Sequence, residues 1–438
     1  MIDRMSMCHR ARFLCRATAF GAAWLAFGCA GFRPQPIEEI AFRERSQTEE
    51  RDGLRVTVSV PDRDEARRIF GVDLAKKHIQ PVWLEIENRS EIPYVFMRTA
   101  LDPAYFSSHE AAYRFHLPFR PVTNAKMNEH FDEQGIAPFV PPLGKTSGFV
   151  FSNLKLGTKE VRVALYGPRR VHVFEFYVAV PGFRADWHEV DWEAIRAQGE
   201  VHYDSEPEFR AALTALPCCT TRQTGSGQGD PLNLVLIGSR EEVANSLIRA
   251  GWDETEVLSF ASGWRTFKAF FGGTYKYSPM SALYVDGRPQ DAGFQKARDT
   301  IHERNHLRLW LSPMRFRGKE VWVGTITRDI GIYFTTRSWS LTTHAIDPDV
   351  DEARDYLRED FQIAQSIERW GFVEGVGAAT SDAPRRNLMN APWWSNGLRL
   401  VIDVPHRPTS LVDQRFFYWD WPIEAAEAFN AQLRALTE

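Results

Sequence analysis

Apolar and polar positions alternate along several short stretches in the first half of the chain, while in the second half apolar residues also recur at helical spacing. Leu54, Val56, Val58 and Val60 alternate with Arg55, Thr57 and Ser59, the period at which a strand buries one face. Val82, Leu84 and Ile86 repeat the pattern ahead of an Asn88-Arg89-Ser90 turn. Val161, Val163 and Leu165 do so before Gly167-Pro168, and Phe174, Phe176, Val178 and Val180 make a further strand. Short alternating strands with turn residues between them, and few helical stretches, predict an all-β immunoglobulin-like sandwich over residues 53–186. Tyr105, Phe106 and Tyr113 read as core packing of that sandwich, with a contact surface as the alternative.

Residues 187–230 read as a short helical stretch followed by a Ser, Thr and Gly-rich connection. Its run Gly225-Ser226-Gly227-Gln228-Gly229 is not a nucleotide loop, because no Gly-Lys-Ser/Thr follows and the glycines precede a strand instead of following one. Residues 231–405 mix strands and helices without regular alternation, which predicts an α+β domain. Strands are expected at 232–237, 281–285, 307–311, 321–326 and 398–404, with helices at 240–249 behind a Ser239 cap and at 262–271. A long helix opens at Asp347 as N-cap with Pro348 at its first position. Val350, Ala353, Leu357, Phe361, Ala364 and Ile367 form its apolar stripe, and Gly371 stops it. Residues 406–438 close the chain as a strand and a helix carrying Ile423, Ala426, Phe429 and Leu433.

The first 28 residues change the picture of where such a chain resides. Arg4, Arg10, Arg12 and Arg16 precede an apolar run from Ala17 to Phe27, and Gly28-Cys29 closes it. This is the pattern of a bacterial lipoprotein signal that is removed, leaving Cys29 as the acylated first residue. By resemblance to Gram-negative lipoproteins, Ala30 in place of an acidic residue implies an outer-membrane lipoprotein facing the periplasm. Residues 29–52, polar with Pro34 and Pro36, read as a flexible tether between lipid and body. Loss of residues 1–28 leaves 49 basic against 56 acidic residues, a formal charge of −7. No basic stripe remains for a phosphate backbone, so nucleic acid is excluded as an expected partner. Beyond Cys29, cysteine is confined to Cys218 and Cys219. Adjacent cysteines close only a small ring, so a stabilising disulfide is not expected, although an oxidising compartment permits one.

The α+β region carries a resemblance. Asp230-Pro231-Leu232-Asn233-Leu234-Val235, Ala250-Gly251-Trp252, Arg304-Asn305-His306-Leu307-Arg308-Leu309-Trp310, Val321-Trp322-Val323-Gly324, Asp329, and residues 344–354 with Asp347, Asp349 and Asp351 resemble the LssY C-terminal domain family over residues 230–369. The resemblance names a domain whose own activity is not established. It therefore implies no reaction and no cofactor.

If residues 307–311 are a strand, His306, Arg308 and Trp310 share the face opposite the leucines. Arg308 can fork onto a carboxylate or phosphate, His306 can serve as acid, base or ligand, and Trp310 can stack on a ring. Asp329, His344, Asp347 and Asp349 are the residues expected to complete such a site. The structural alternative makes the aspartates helix caps and partners of Arg308. His302-Glu303-Arg304-Asn305-His306 also fits H-E-x-x-H, the helical zinc motif of metal-dependent hydrolases. Arg304 inside the motif, strand-like alternation after His306 and Ser312 at the third-ligand spacing all speak against it. The preferred expectation is a lipid-anchored envelope protein that binds a small molecule or protein, without a cofactor. The alternative is a zinc hydrolase using His302, Glu303 and His306.

Overall fold

Period-two burial organises residues 47–179 into two antiparallel sheets. A computed structural model describes residues 32–197, 199–255, 280, 282–297, 304–334, 342–417 and 419–420. It divides the chain into two units, residues 1–155 with 161–181 and residues 156–160 with 182–438.

In the first unit, β1 (Gln47–Arg51), β2 (Leu54–Ser59), β3 (Ile79–Asn88), β4 (Tyr94–Met97), β5 (Phe139–Val140), β6 (Gly144–Asn153), β7 (Thr158–Gly167) and β8 (Arg170–Ala179) follow one another. They form sheets ordered β1-β2-β3-β6 and β5-β4-β7-β8. One core takes Val56, Val58, Leu84 and Ile86 from the first sheet and Val161, Val163, Phe174 and Phe176 from the second. Each such side chain contributes about 1.5–3 kcal/mol on burial.

The other face of β3 is buried as well, Ile79 and Trp83 packing with Phe70, Phe131, Phe149 and Phe151. That second core is covered by helices the alternation did not predict: α1 (Arg63–Phe70), α2 (Ser108–Tyr113) and α3 (Pro121–Gln134). Their apolar residues are too few to set a period, α3 burying only Met127 and Phe131. The starts are nevertheless written locally. Asp62 and Glu65 form a reciprocal capping box at α1, and Pro121 opens α3. Phe106 is buried, whereas Tyr113 is 66% exposed and belongs to no core.

The expected tether is likewise corrected. Residues 37–39 and 41–45 are 3-10 turns, β1 follows, and Ile40 and Phe42 are buried. Phe32 already packs against the second core, so apolar anchors outweigh the polar composition that suggested a flexible segment.

The second unit is built on one mixed sheet. Its main elements are α4 (Glu206–Thr214), β9 (Leu234–Ile237), α5 (Arg240–Arg249), β10 (Ala292–Ala297), β11 (Arg304–Phe316), β12 (Lys319–Phe334), β13 (Thr342–Ile346), α6 (Val350–Ile363), β14 (Arg369–Glu374) and β15 (Leu398–Asp403). β10, β11 and β12 are antiparallel neighbours, β9 lies between β12 and β15, and β15 pairs with β14. Leu234 and Leu236 face a core shared with α5 and α6, while Val235 and Ile237 face one shared with α4. Helices thus cover both faces of the sheet.

Three local expectations change. Asp349, not Asp347, caps α6, accepting from the Asp351 N–H. Asp347 instead accepts from the Asp349 N–H one turn earlier, so the acidic cluster builds two successive turns. α6 ends at Ile363, and Gln365 takes the left-handed conformation (φ 56°) while Ser366 N–H returns to Phe361 O at 2.8 Å. Gly371 lies inside β14, where a Cβ would stand 2.7 Å from Phe417. Finally, Cys218 and Cys219 are joined by a disulfide, Cys219 packing with Val350, Val376 and Trp393. The helix expected at 262–271 and the closing helix lie outside the described residues. Among the described residues no helix is long and apolar enough to cross a membrane.

Candidate functional site

β11 is the strand on which the candidate residues stand. Its odd positions Leu307, Leu309 and Leu311 enter the core beneath α5 and α6. The even positions occupy the opposite face, which is apolar at one end and ionic at the other. Trp310 packs with Phe209, Leu213 and Val323, and its Nε1 donates to Arg288 O at 3.1 Å. It is a wall residue of the α4 core. Arg308, His306 and Arg304 continue the same face, each less than 9% exposed.

Register supplies their neighbours. His306 stands opposite Gln295 on β10 and Thr327 on β12, and Arg308 opposite Gly293 and Thr325. Gly293 leaves room here: a Cβ would come within 2.4 Å of Thr255 Oγ1 and 2.6 Å of Met280 Cε, so those side chains would have to move. Further along β12, Asp329 returns a carboxylate to the cluster. His306 Nε2 lies 2.5 Å from Asp329 Oδ2, and Arg304 Nε lies 3.0 Å from the same imidazole nitrogen and 3.9 Å from the same oxygen. Arg304 Nη1 donates to Gln295 Oε1 at 2.5 Å, and His306 Nδ1 is 2.9 Å from the Met280 sulfur.

One nitrogen cannot donate to Asp329 and accept from Arg304 together. Burial, opposed by the Asp329 charge and reinforced by Arg304, pushes His306 down to about 4. The imidazole is therefore neutral at pH 7. With its proton on Nε2 it donates to Asp329, leaving the Arg304 guanidinium to face that carboxylate from the side.

These groups wall a cavity of about 220 Å³ with Asp230, Met280, Asn387 and Ala391. Asp230 is the second acid, accepting from Asn387 Nδ2 at 2.8 Å. Burial pushes its carboxyl up against the pull of Arg308. Burial also lowers Arg304 to about 10 and lowers Arg308, whose charge interacts with Asp230 and Asp329. Two guanidiniums thus face two carboxylates, one of which resists ionisation. Protonation of Asp230 leaves the cavity with a net positive charge, which favours an anion.

Of the residues named from sequence, the fold brings together His306, Arg308 and Asp329. Asp347 and Asp349 stand at the entrance to α6 and do not line the cavity. His344 is on β13 opposite Ile332; its side chain lies outside the described residues. His302 and Glu303 lie outside them too, while Arg304, Asn305 and His306 are strand residues. Among the described residues no group of three or more His, Cys, Asp or Glu could hold a metal ion. Arg304 and Asp230 were missed as cavity residues. Arg304 was legible, being two positions before His306 on the same strand face, whereas nothing local to Asn387 marks it.

Residues 211–398 match the family described as LssY C-terminus. The matched LssY C-terminal segment is longer at both ends than the resemblance read from motifs. It contains Asp230, Gln295, Arg304, His306, Arg308, Asp329 and Asn387, so the whole cavity cluster falls inside it. No curated protein matches the chain.

Proposed function

We propose that the chain is a lipid-anchored protein of the bacterial cell envelope whose LssY C-terminal segment binds a small ligand bearing a carboxylate or phosphate group. The observation that carries this is the row of Arg304, His306 and Arg308 along one wall of a cavity of about 220 Å³. Guanidiniums offer forked donors that match a planar or tetrahedral oxyanion. Asp230 and Asp329 hold those donors in place, and Asp230 takes up a proton when the anion enters. The test is calorimetric titration of the full chain with inorganic phosphate, sulfate and acetate, alongside metal analysis. One saturable site for at least one anion supports the reading, and stoichiometric zinc redirects it to the hydrolase.

The envelope location rests on residues 1–29. Three peptide units separate Cys29 from Phe32, a reach of about 11 Å at full extension. Because Phe32 already packs on the first unit, acylation at Cys29 holds that unit against the outer membrane without a long leash. Cys29→Ser is expected to move the protein from the membrane pellet to the soluble fraction; unchanged sedimentation would contradict the anchor.

We also read the first unit as immunoglobulin-like. β2, β3 and β6 follow the A-B-E order of such domains, and β5-β4-β7-β8 the C′-C-F-G order. On this reading α2 and α3 occupy the connection between C and C′, and the departures are the extra edge strand β1 and, among the described residues, the lack of a D strand. A second structure determination resolving the strand order is its check.

A further inference from the structure

The disulfide between Cys218 and Cys219 is not used by the cavity just described. Disulfides stabilise mainly by closing long loops in the unfolded chain, and this one closes residues adjacent in sequence. Its contribution of that kind is therefore minimal, and its surroundings suggest another use. Cys219 is buried, 4% exposed. Cys218 is half-buried and lines a separate cavity of about 1070 Å³ whose wall includes Gly375, Gly377, Asn396 and Arg385. Arg385 Nη2 stands 3.2 Å from Cys218 Sγ. That guanidinium is fixed, donating to Val376 O at 2.9 Å and Gln228 Oε1 at 3.0 Å and lying 4.9 Å over the Trp393 ring. A fixed cation beside a reachable sulfur stabilises a thiolate there. Glu374 and Asp420 line the same cavity and weaken this field without contacting the sulfur.

We propose that Cys218–Cys219 is a redox-active disulfide that exchanges with small thiols entering this cavity. A thiolate attacks Cys218 Sγ, the accessible sulfur. The new S–S bond forms as the Cys218–Cys219 bond breaks, and Cys219 Sγ leaves with the electron pair and takes a proton from water. A second thiolate attacks the small molecule's sulfur in the mixed disulfide, releasing a small disulfide and the Cys218 thiolate beside Arg385. Two thiols are oxidised by two electrons, and the cysteine pair is reduced by the same two. A small disulfide runs the sequence backwards.

The experiment treats the full native chain with 2-mercaptoethanol, quenches with iodoacetamide and locates adducts by peptide mass analysis. The expected result, without denaturant, is a mercaptoethanol adduct on Cys218 with Cys219 alkylated in the trapped mixed disulfide, and alkylation of Cys218 ahead of Cys219 once the pair is fully reduced. Arg385→Gln is expected to slow alkylation of Cys218 at pH 7 by about three- to tenfold and to move its pH midpoint upward. Arg385→Lys, which keeps the charge, restores part of the rate, and melting curves show whether each variant is folded. Opening only after denaturation, or the same pH profile in the wild type and both variants, overturns the proposal. So does alkylation of both cysteines before any thiol is added.

Discussion

Two buried arginine sites in the second unit differ in what surrounds the charge. Arg399 is fully buried and donates to the carbonyls of Leu213, Leu216, Pro217, Leu232 and Gly375. Among the described residues no carboxylate pairs with it. The carbonyls at the end of α4 carry the negative end of the helix dipole and serve as its counter-charge, while burial lowers the guanidinium to about 10. Arg304 and Arg308 are almost as buried, yet they line a cavity and share it with a neutral imidazole and two acids. Burial of a cation is thus common to both places. What separates the two is space next to Arg304 and Arg308 and partners able to change protonation.

The largest effect that tests this contrast is Arg399→Met, which strands five carbonyls and is expected to cost about 3–5 kcal/mol in chemical denaturation. A loss below about 1 kcal/mol would mean that Arg399 is not the keystone of α4 and β15. Next comes His306→Gln. A histidine lowered to about 4 in the fold contributes stability that is complete above about 6.5, its unfolded value, and disappears as pH falls toward 4. The wild type should therefore lose on the order of 2–3 kcal/mol relative to His306→Gln across that window. Parallel pH profiles would show that His306 is not buried neutral. Arg308→Met should cost less than Arg399→Met, about 1–2 kcal/mol, because Asp230 can take a proton when its partner is gone. Asp349→Ala should cost about 1 kcal/mol through loss of the α6 cap. Asp347→Ala should leave anion binding intact, and loss of binding there would move the site to the α6 entrance.

The same contrast explains how far the sequence could be read. Alternation at 54–60, 82–86, 161–165 and 174–180 marks strands in the structure, but it does not show that β3 buries its other face too, at Ile79 and Trp83. The α1 and α3 helices escaped because a short helix covering a few aromatic rings needs only two or three apolar residues. The tether reading failed at Ile40 and Phe42, where two anchors outweigh a charged composition. In the site, strand parity made His306 and Arg308 legible, and Asp329 came with the family motif. Asp230 and Asn387 reach the cavity by tertiary packing, which no spacing records. Asp347 was misplaced because successive aspartates before a helix all satisfy the rule for a cap, and only hydrogen bonding decides among them.

Whether the cavity binds an anion is decided by titrating the full chain and its folded Arg308→Met variant with inorganic phosphate, sulfate and acetate at two pH values. One saturable site is expected for at least one of these anions. Binding should tighten as pH falls and Asp230 takes up its proton, and Arg308→Met should lose it by tenfold or more at an unchanged fold. Absence of binding for all three, or equal affinity in the wild type and the variant, would contradict it.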